Sequence, residues 1–270
     1  MARRSIPRER WNEIQQGEWA YHEQKDPSSI LEINLRYWRR ILSALPESVG
    51  IEQTKRALDL GCGGCGILLA VPPGDHVGVD PLMASYLDKF PFLAERKDIR
   101  WVAGTAEDLD KNELFDTVFL INSLDHVFDP DEVLNKAKEL VKPGGHIVIL
   151  LNCHNTSFFR WYFATFYRYI DSHHPFHFRP ADVVKKLDEF ESLSVEEIDR
   201  LWFPDEDEYE RKVMKVKKKN SSKLLKKALN PFFYPIAVSR YLLGRPTRRR
   251  NLSQKSIISI YLFAFRKASN

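Results

Sequence analysis

The residues best suited to holding a ligand are Asp59-Leu60-Gly61-Cys62-Gly63-Gly64-Cys65-Gly66. Their glycines permit a tight turn and let a bound group lie close to the backbone. About 20 residues on, an apolar run ends in Val79-Asp80, where a carboxylate can accept both hydroxyls of a ribose. Loop and acid together point to a nucleoside-bearing ligand. Gly61 to Gly66 also satisfies the Gly-x-Gly-x-x-Gly pattern that seats a dinucleotide pyrophosphate on a helix N-terminus, so the loop alone leaves the nucleotide open.

Two further segments carry side chains that exchange protons near neutral pH. The first is Asn122 with Leu124-Asp125-His126-Val127-Phe128-Asp129-Pro130, and the second is Asp171-Ser172-His173-His174-Pro175-Phe176-His177-Phe178. Histidine titrates in the range where a general base is useful, so His126, His174 and His177 are candidates for base or for acceptor ligands. The alternative for each is a structural imidazole that shapes a pocket or fixes a loop. Cys62 and Cys65 form a Cys-x-x-Cys, but no second ligand pair accompanies it and the 171–178 spacing matches no standard metal site; no metal is expected.

Short apolar runs must position these groups. Ala57-Leu60, His76-Val79, Ile99-Val102, Thr117-Ile121 and Ile147-Leu151 are separated by stretches read as helical, the pattern of parallel βαβ units. Asp129-Pro130-Asp131 starts a helix through Leu140, and Lys142-Pro143-Gly144-Gly145 turns the chain into the next strand. Residues 7–45 show helical spacing of aromatic and apolar residues broken at Asp26-Pro27-Ser28-Ser29, which predicts two helices before the main domain. Residues 155–170 are strongly aromatic, 180–190 read as a helix, and 193–203 and 256–265 as the last two strands.

The decision between nucleotides comes from the motif order: Gly104-Thr105-Ala106-Glu107-Asp108-Leu109 after the third strand, Phe115-Asp116-Thr117-Val118-Phe119 opening the fourth, and Leu140-Val141-Lys142-Pro143-Gly144-Gly145 before the fifth. With these, residues 50–152 resemble the class I S-adenosylmethionine-dependent methyltransferases. The resemblance implies a doubly wound, Rossmann-like α/β fold with a seven-stranded mixed sheet. It would place Asp59, Gly61, Cys62, Gly63 and Gly66 at the methionine part of S-adenosylmethionine and Asp80 at its ribose. Pro81 and Leu82 would pack on the adenine face, Thr105, Ala106 and Glu107 at its edge, and Asn122 would face the cofactor. Leu124 to Pro130 resembles the family's Glu-His-Val-x-Asp-Pro segment, with Asp in place of Glu. The Asp171-x-x-His174-Pro175-x-His177 segment resembles one that recurs in methyltransferases of this type with unassigned acceptors. Two residues depart from the pattern: Cys65 stands where many members have the third glycine, and Thr105 replaces a common aspartate.

Four parts follow: a helical cap over 1–50, a cofactor-binding core over 51–203, a basic insertion over 204–255 and a last core strand over 256–270. With 43% hydrophobic residues in 270, the chain can bury a large core, which excludes whole-chain disorder. From residue 204 onward, 17 Lys and Arg face 5 Asp and Glu, so the positive charge is concentrated in the insertion. A basic stretch from Arg211 to Lys227 followed by apolar Phe232 to Val238 fits a lid, a peripheral contact with anionic lipid, or, less well, nucleic acid. Three cysteines and a start without an apolar leader lead to the expectation of a cytoplasmic protein, peripheral to a membrane at most.

The expected reaction is transfer of a methyl to oxygen, or nitrogen, of a small-molecule, sugar or lipid-linked acceptor, leaving S-adenosylhomocysteine. The rivals are a scaffold that keeps the cofactor fold without turnover, a nicotinamide dehydrogenase, and a nucleic-acid methyltransferase. The last lacks the Asn/Asp-Pro-Pro-Tyr motif of base-amino methyltransferases.

Overall fold

The structure is a computed structural model that describes residues 5–110, 112–170, 173–198 and 258–269, with backbone alone at 107 and 167–170. Two helices lead in, α1 (Arg8–Glu23) and α2 (Pro27–Ser43). Asp26 caps α2 by accepting from the Ser29 amide at 3.1 Å, and Pro27 fills the first turn, where no N–H is needed. The predicted break at Asp26-Pro27 is therefore a helix start, and α1 ends just before it.

Strands β1 (Ala57–Leu60), β2 (His76–Asp80), β3 (Ile99–Ala103), β4 (Phe115–Ile121) and β5 (Val141–His154) run parallel. Strands β6 (Glu191–Glu197) and β7 (Ile258–Arg266) complete a seven-stranded sheet of order β3-β2-β1-β4-β5-β7-β6, with β7 antiparallel to both neighbours. Leu58 pairs with Val77 on one side and Val118 on the other, and Ile149 pairs with Phe263. The central strands read as continuous apolar runs because both faces are covered. On one face, Leu58, Leu60, Val118, Leu120 and Ile149 pack with α4 (Pro130–Leu140) and α6 (Pro180–Lys186); on the other, Phe119, Val148, Leu150 and Leu262 pack with α2 and α3 (Met83–Lys89). Helix α5 (Ser157–Ile170) carries the aromatic stretch and is kinked at Phe166.

The structure differs from the expected succession of helices at two places: between β3 and β4 the described residues form only the 3-10 turn Ala106–Asp108, and the larger departure follows β1. Between β1 and β2 only two short 3-10 turns form, Gly63–Cys65 and Ile67–Ala70. Gly61, Gly63, Gly64 and Gly66 at the start and Pro72-Pro73 at the end leave little chain that can propagate a helix. No helix N-terminus therefore points at the ligand from this loop. Strand β6 starts two residues before the expected 193 and ends at Glu197, β7 runs one residue past the expected 265, and α6 stops at Lys186; residues 199–203 and 256–257 of the expected strands lie outside the described residues. The insertion read over 204–255 lies outside the described residues. Among the described residues, no helix is long and apolar enough to cross a membrane.

Candidate functional site

The sheet order reverses between β1 and β4, and a crevice beyond the carboxyl ends of strands at such a switch point is where open α/β sheets bind ligands. Here it is a cavity of about 690 Å³, walled by the glycine loop, by Val79 to Leu82, by Gly104 to Ala106, by Ile121 to Ser123, and by α1 and α2. That volume lies in the range of small-molecule and cofactor sites.

The loop at its floor is built by backbone constraint. Gly61 has φ +76° and a Cβ there would sit 2.5 Å from Ser123 Cβ, so both conformation and space require glycine. Gly63 has φ +60° and donates its N–H to Asp80 Oδ2 at 2.9 Å, while the Leu82 amide donates to Asp80 Oδ1 at 2.8 Å. Asp80 therefore ties the glycine loop to the segment after β2, and each carboxylate oxygen keeps a lone pair for a further donor. Burial pushes Asp80 up to about 6, with the Leu82 and Gly63 amides opposing that shift.

The predicted cofactor residues divide by depth. Gly61, Cys62, Gly63, Asp80, Pro81, Leu82, Thr105, Ala106 and Asn122 line the cavity. Asp59 and Gly66 lie beneath the loop: a Cβ on Gly66 would meet Asp59 Oδ2 at 2.8 Å, and the Asp59 carboxylate is fully buried. Burial, reinforced by Asp80, pushes Asp59 up to about 8, with the Ile67 amide pulling the other way; neither oxygen has a well-formed hydrogen bond. Glu107 sits in the 3-10 turn Ala106–Asp108, where Asp108 Oδ2 accepts from the Thr105 amide at 2.7 Å. Burial raises both thiols of the Cys-x-x-Cys, Cys65 to about 11, so neither is a thiolate at neutral pH.

Asn122 follows β4 directly with φ +50°, a left-handed conformation that is uncommon outside glycine, is tolerated best there by asparagine, and clusters at functional sites. Its Oδ1 is buried without a hydrogen-bond partner, as is Ser123 Oγ beside it. The chain next presents Asp125 and His126. His126 lines the cavity; its Nδ1 faces Glu18 Oε1 of α1 at 3.6 Å and its Nε2 faces Asp125 Oδ1 at 3.6 Å. His174 reaches the same place from the segment after α5, with its ring centroid 4.4 Å from that of His126 and its Nε2 4.0 Å from Asp125 Oδ2. The structure thus brings two of the three candidate histidines together. His177 is placed elsewhere, its Nδ1 3.0 Å from His154 Nε2 beside Phe163.

The helical cap contributes residues that sequence reasoning passed over. Tyr21 lines the cavity, whereas Trp19 packs on Tyr86. Glu18, His22 and Lys25 also face the cavity, with Lys25 Nζ 3.1 Å from His22 Nδ1 and 4.2 Å from the centre of the Tyr21 ring. Burial lowers Lys25 to about 7. The missed signal was the i, i+3, i+4 spacing of Glu18, Tyr21 and His22, which places them on one face of α1; Lys25 follows just past the helix end. The aromatic stretch of α5 packs in part against β5, through Phe163 and His154, with Phe158 and Trp161 exposed.

The family model for methyltransferase domains matches residues 30–211. The chain belongs to this family, the class I S-adenosylmethionine-dependent methyltransferases. Among curated relatives of the methyltransferase, a ubiquinone biosynthesis O-methyltransferase from Vibrio vulnificus (strain YJ016) is 35% identical over 102 residues, 34% of this chain and 42% of the relative. One of the same name from Azorhizobium caulinodans is 40% identical over 101 residues, 35% of this chain and 39% of the relative. The match thus spans about two fifths of these relatives' length. The fold is shared with the N-methyltransferase NodS from Bradyrhizobium japonicum in complex with S-adenosylhomocysteine, at 13% identity and TM-score 0.54, covering 96% of this chain and 98% of that one. It is shared equally with the [4+2]-cyclase SpnF, at 16% identity and TM-score 0.54, covering 86% and 80%. The family fixes the cofactor as S-adenosylmethionine, and the turn without a helix N-terminus, the buried acid at the end of β2 and the cavity fit it.

Proposed function

We propose that this methyltransferase transfers a methyl group to a hydroxyl oxygen of a small-molecule acceptor that enters over Asn122 and Ser123. The observation that carries the reading is the convergence of Asp125 and His174, from two separate segments of chain, on His126, which lines the cofactor cavity. Bound in the cavity, S-adenosylmethionine supplies an electrophilic methyl carried on a sulfonium sulfur. The chain's residues then have three tasks. Asp80 takes the ribose hydroxyls while its own amide bonds hold the glycine loop shut beneath. Helices α1 and α2 cover the cavity and exclude water, which strengthens every polar interaction inside. The Asp125, His126 and His174 cluster removes the proton of the acceptor hydroxyl, since a neutral hydroxyl is a weak nucleophile and the positioned group must receive what it loses.

Oxygen is favoured over nitrogen because an imidazole and carboxylate cluster suits a group that must be deprotonated, and because the relatives matched over the cofactor region are O-methyltransferases by name. The test is methyl transfer from radiolabelled S-adenosylmethionine to a panel of phenols, catechols, sugars and amines. Labelled methyl ether should form, and its formation should fall at least about 100-fold in His126→Ala, the range for loss of a general base. Labelling of amines with none of hydroxyls would overturn the assignment to oxygen.

A further inference from the structure

We propose that Asp125, His126 and His174 form the binding site of a divalent first-row transition-metal ion, to which the acceptor oxygen binds. This deepens the reading above and rests on it.

One ligand atom from each of the three residues lies within 4.8 Å of the other two. Their separations, 3.6 Å from Asp125 Oδ1 to His126 Nε2 and 4.0 Å from Asp125 Oδ2 to His174 Nε2, are too long for hydrogen bonds. They are close to what an ion needs, because ligand atoms about 2.1 Å from a metal stand about 3.0–3.4 Å apart. The third separation, between the two imidazole ligand atoms, is within 4.8 Å, so a shift of about an ångström or less in each side chain closes the difference. Asp125 is buried, at 6% side-chain exposure, and its Oδ1 has no hydrogen-bond partner. A carboxylate so placed is costly unless a positive charge compensates it.

The surroundings have the same character. Asn122 Oδ1 and Ser123 Oγ, both buried and both able to accept, also lack partners, so several unsatisfied oxygens gather at one end of the cavity. On the other side of the His126 ring, Nδ1 faces Glu18 at 3.6 Å. A carboxylate behind the non-ligating nitrogen of a metal-bound histidine fixes its tautomer and orientation. Two imidazoles and one carboxylate favour a transition ion over magnesium or calcium, which prefer all-oxygen sites. Three protein ligands leave coordination positions open, and His126 sets the ion beside the cavity wall. With the ion bound, the cluster acts on the hydroxyl through it: a hydroxyl bound there ionises more readily, its proton passing to water instead of to the ligating imidazoles, and its position relative to the cofactor is fixed. The sequence spacing conceals the site because two ligands are adjacent and the third comes from a segment beyond β5 and α5.

The test is cobalt(II) titration of the untagged full chain, followed by visible absorption and by metal analysis after gel filtration, with zinc as competitor. One ion per chain should bind with ligand-field bands of nitrogen and oxygen ligation. Affinity should fall about 100-fold or more in Asp125→Asn and in His174→Ala, and stay unchanged in His177→Ala. If Asp125→Asn does not fold, the half-exposed His174 decides. Substoichiometric binding, thiolate charge-transfer bands from Cys62 and Cys65, or equal affinity in wild type and His174→Ala would each overturn the proposal. S-adenosylhomocysteine titration of the same samples separates the two readings: cofactor binding without metal binding removes the metal and leaves the methyltransferase, whereas loss of both removes the site.

Discussion

The Trp38 indole N–H donates to the Cys65 carbonyl at 2.8 Å, which ties helix α2 directly to the glycine turn beneath the cofactor cavity. The bond is buried, and it makes the helical cap part of the site's foundation rather than an appendage. Trp38→Phe keeps the aromatic bulk and leaves the Cys65 carbonyl unsatisfied, a loss of about 1–3 kcal/mol. Thermal unfolding should show a lowered Tm, and S-adenosylhomocysteine affinity should drop with it. An unchanged Tm together with unchanged affinity would show that the cap does not support the loop.

Gly61→Ala should be far more damaging than its size suggests. The backbone at φ +76° already costs about 1–2 kcal/mol for an L side chain, and the new methyl meets Ser123 Cβ at 2.5 Å. Because both the loop and the β4 terminus must move apart, cofactor binding should be lost even where the protein still folds. Isothermal titration of a variant with native circular dichroism tests this, and wild-type affinity would refute it.

Asp59 gives the unliganded protein a defined pH response. Its folded-state value, about 8, lies above that of the unfolded chain near 3.8, so the native state holds the proton more tightly. Stability from this residue is complete below the unfolded value and is lost as pH rises through about 8. Asp59→Asn removes the titration, so the difference in Tm between variant and wild type should grow in the variant's favour from pH 5 to pH 8. A difference that stays constant with pH would contradict the buried, unpartnered carboxylate.

His126 stands at the wall of the cavity, between Glu18 and Asp125, and makes none of the bonds that hold the glycine loop. His126→Ala should therefore leave S-adenosylhomocysteine affinity within about threefold while methyl transfer falls by about 100-fold or more. The split between binding and turnover is the informative quantity. Parallel losses in both would mean that His126 belongs to the cofactor site.

Much of this was legible in the sequence because it depended on local rules. Asp26-Pro27 and Asp129-Pro130 each start a helix at the predicted place, since an N-cap acid and a proline act within one turn. The central strands read clearly because sheet strands covered on both faces need continuous apolar runs. Less visible was whatever depended on approach in space. Glu18 and His22 of α1, with Lys25 just past its end, are remote in sequence from the glycine loop and reach the cavity only because α1 folds over it. His174 and His177 look equivalent in the sequence, yet the chain after α5 turns one toward Asp125 and the other toward His154. The missing helix after β1 was concealed by a motif whose spacing also fits dinucleotide loops.

The central claim, that the cavity holds S-adenosylmethionine through Asp80, is tested most directly by calorimetric titration of S-adenosylhomocysteine into wild type and Asp80→Ala. Wild type should bind one equivalent saturably, and the variant, checked for native circular dichroism, should bind at least about tenfold more weakly because hydrogen bonds to a charged carboxylate contribute about 1.5–3 kcal/mol. Absence of binding to folded wild type, or equal binding by the folded variant, would contradict the account.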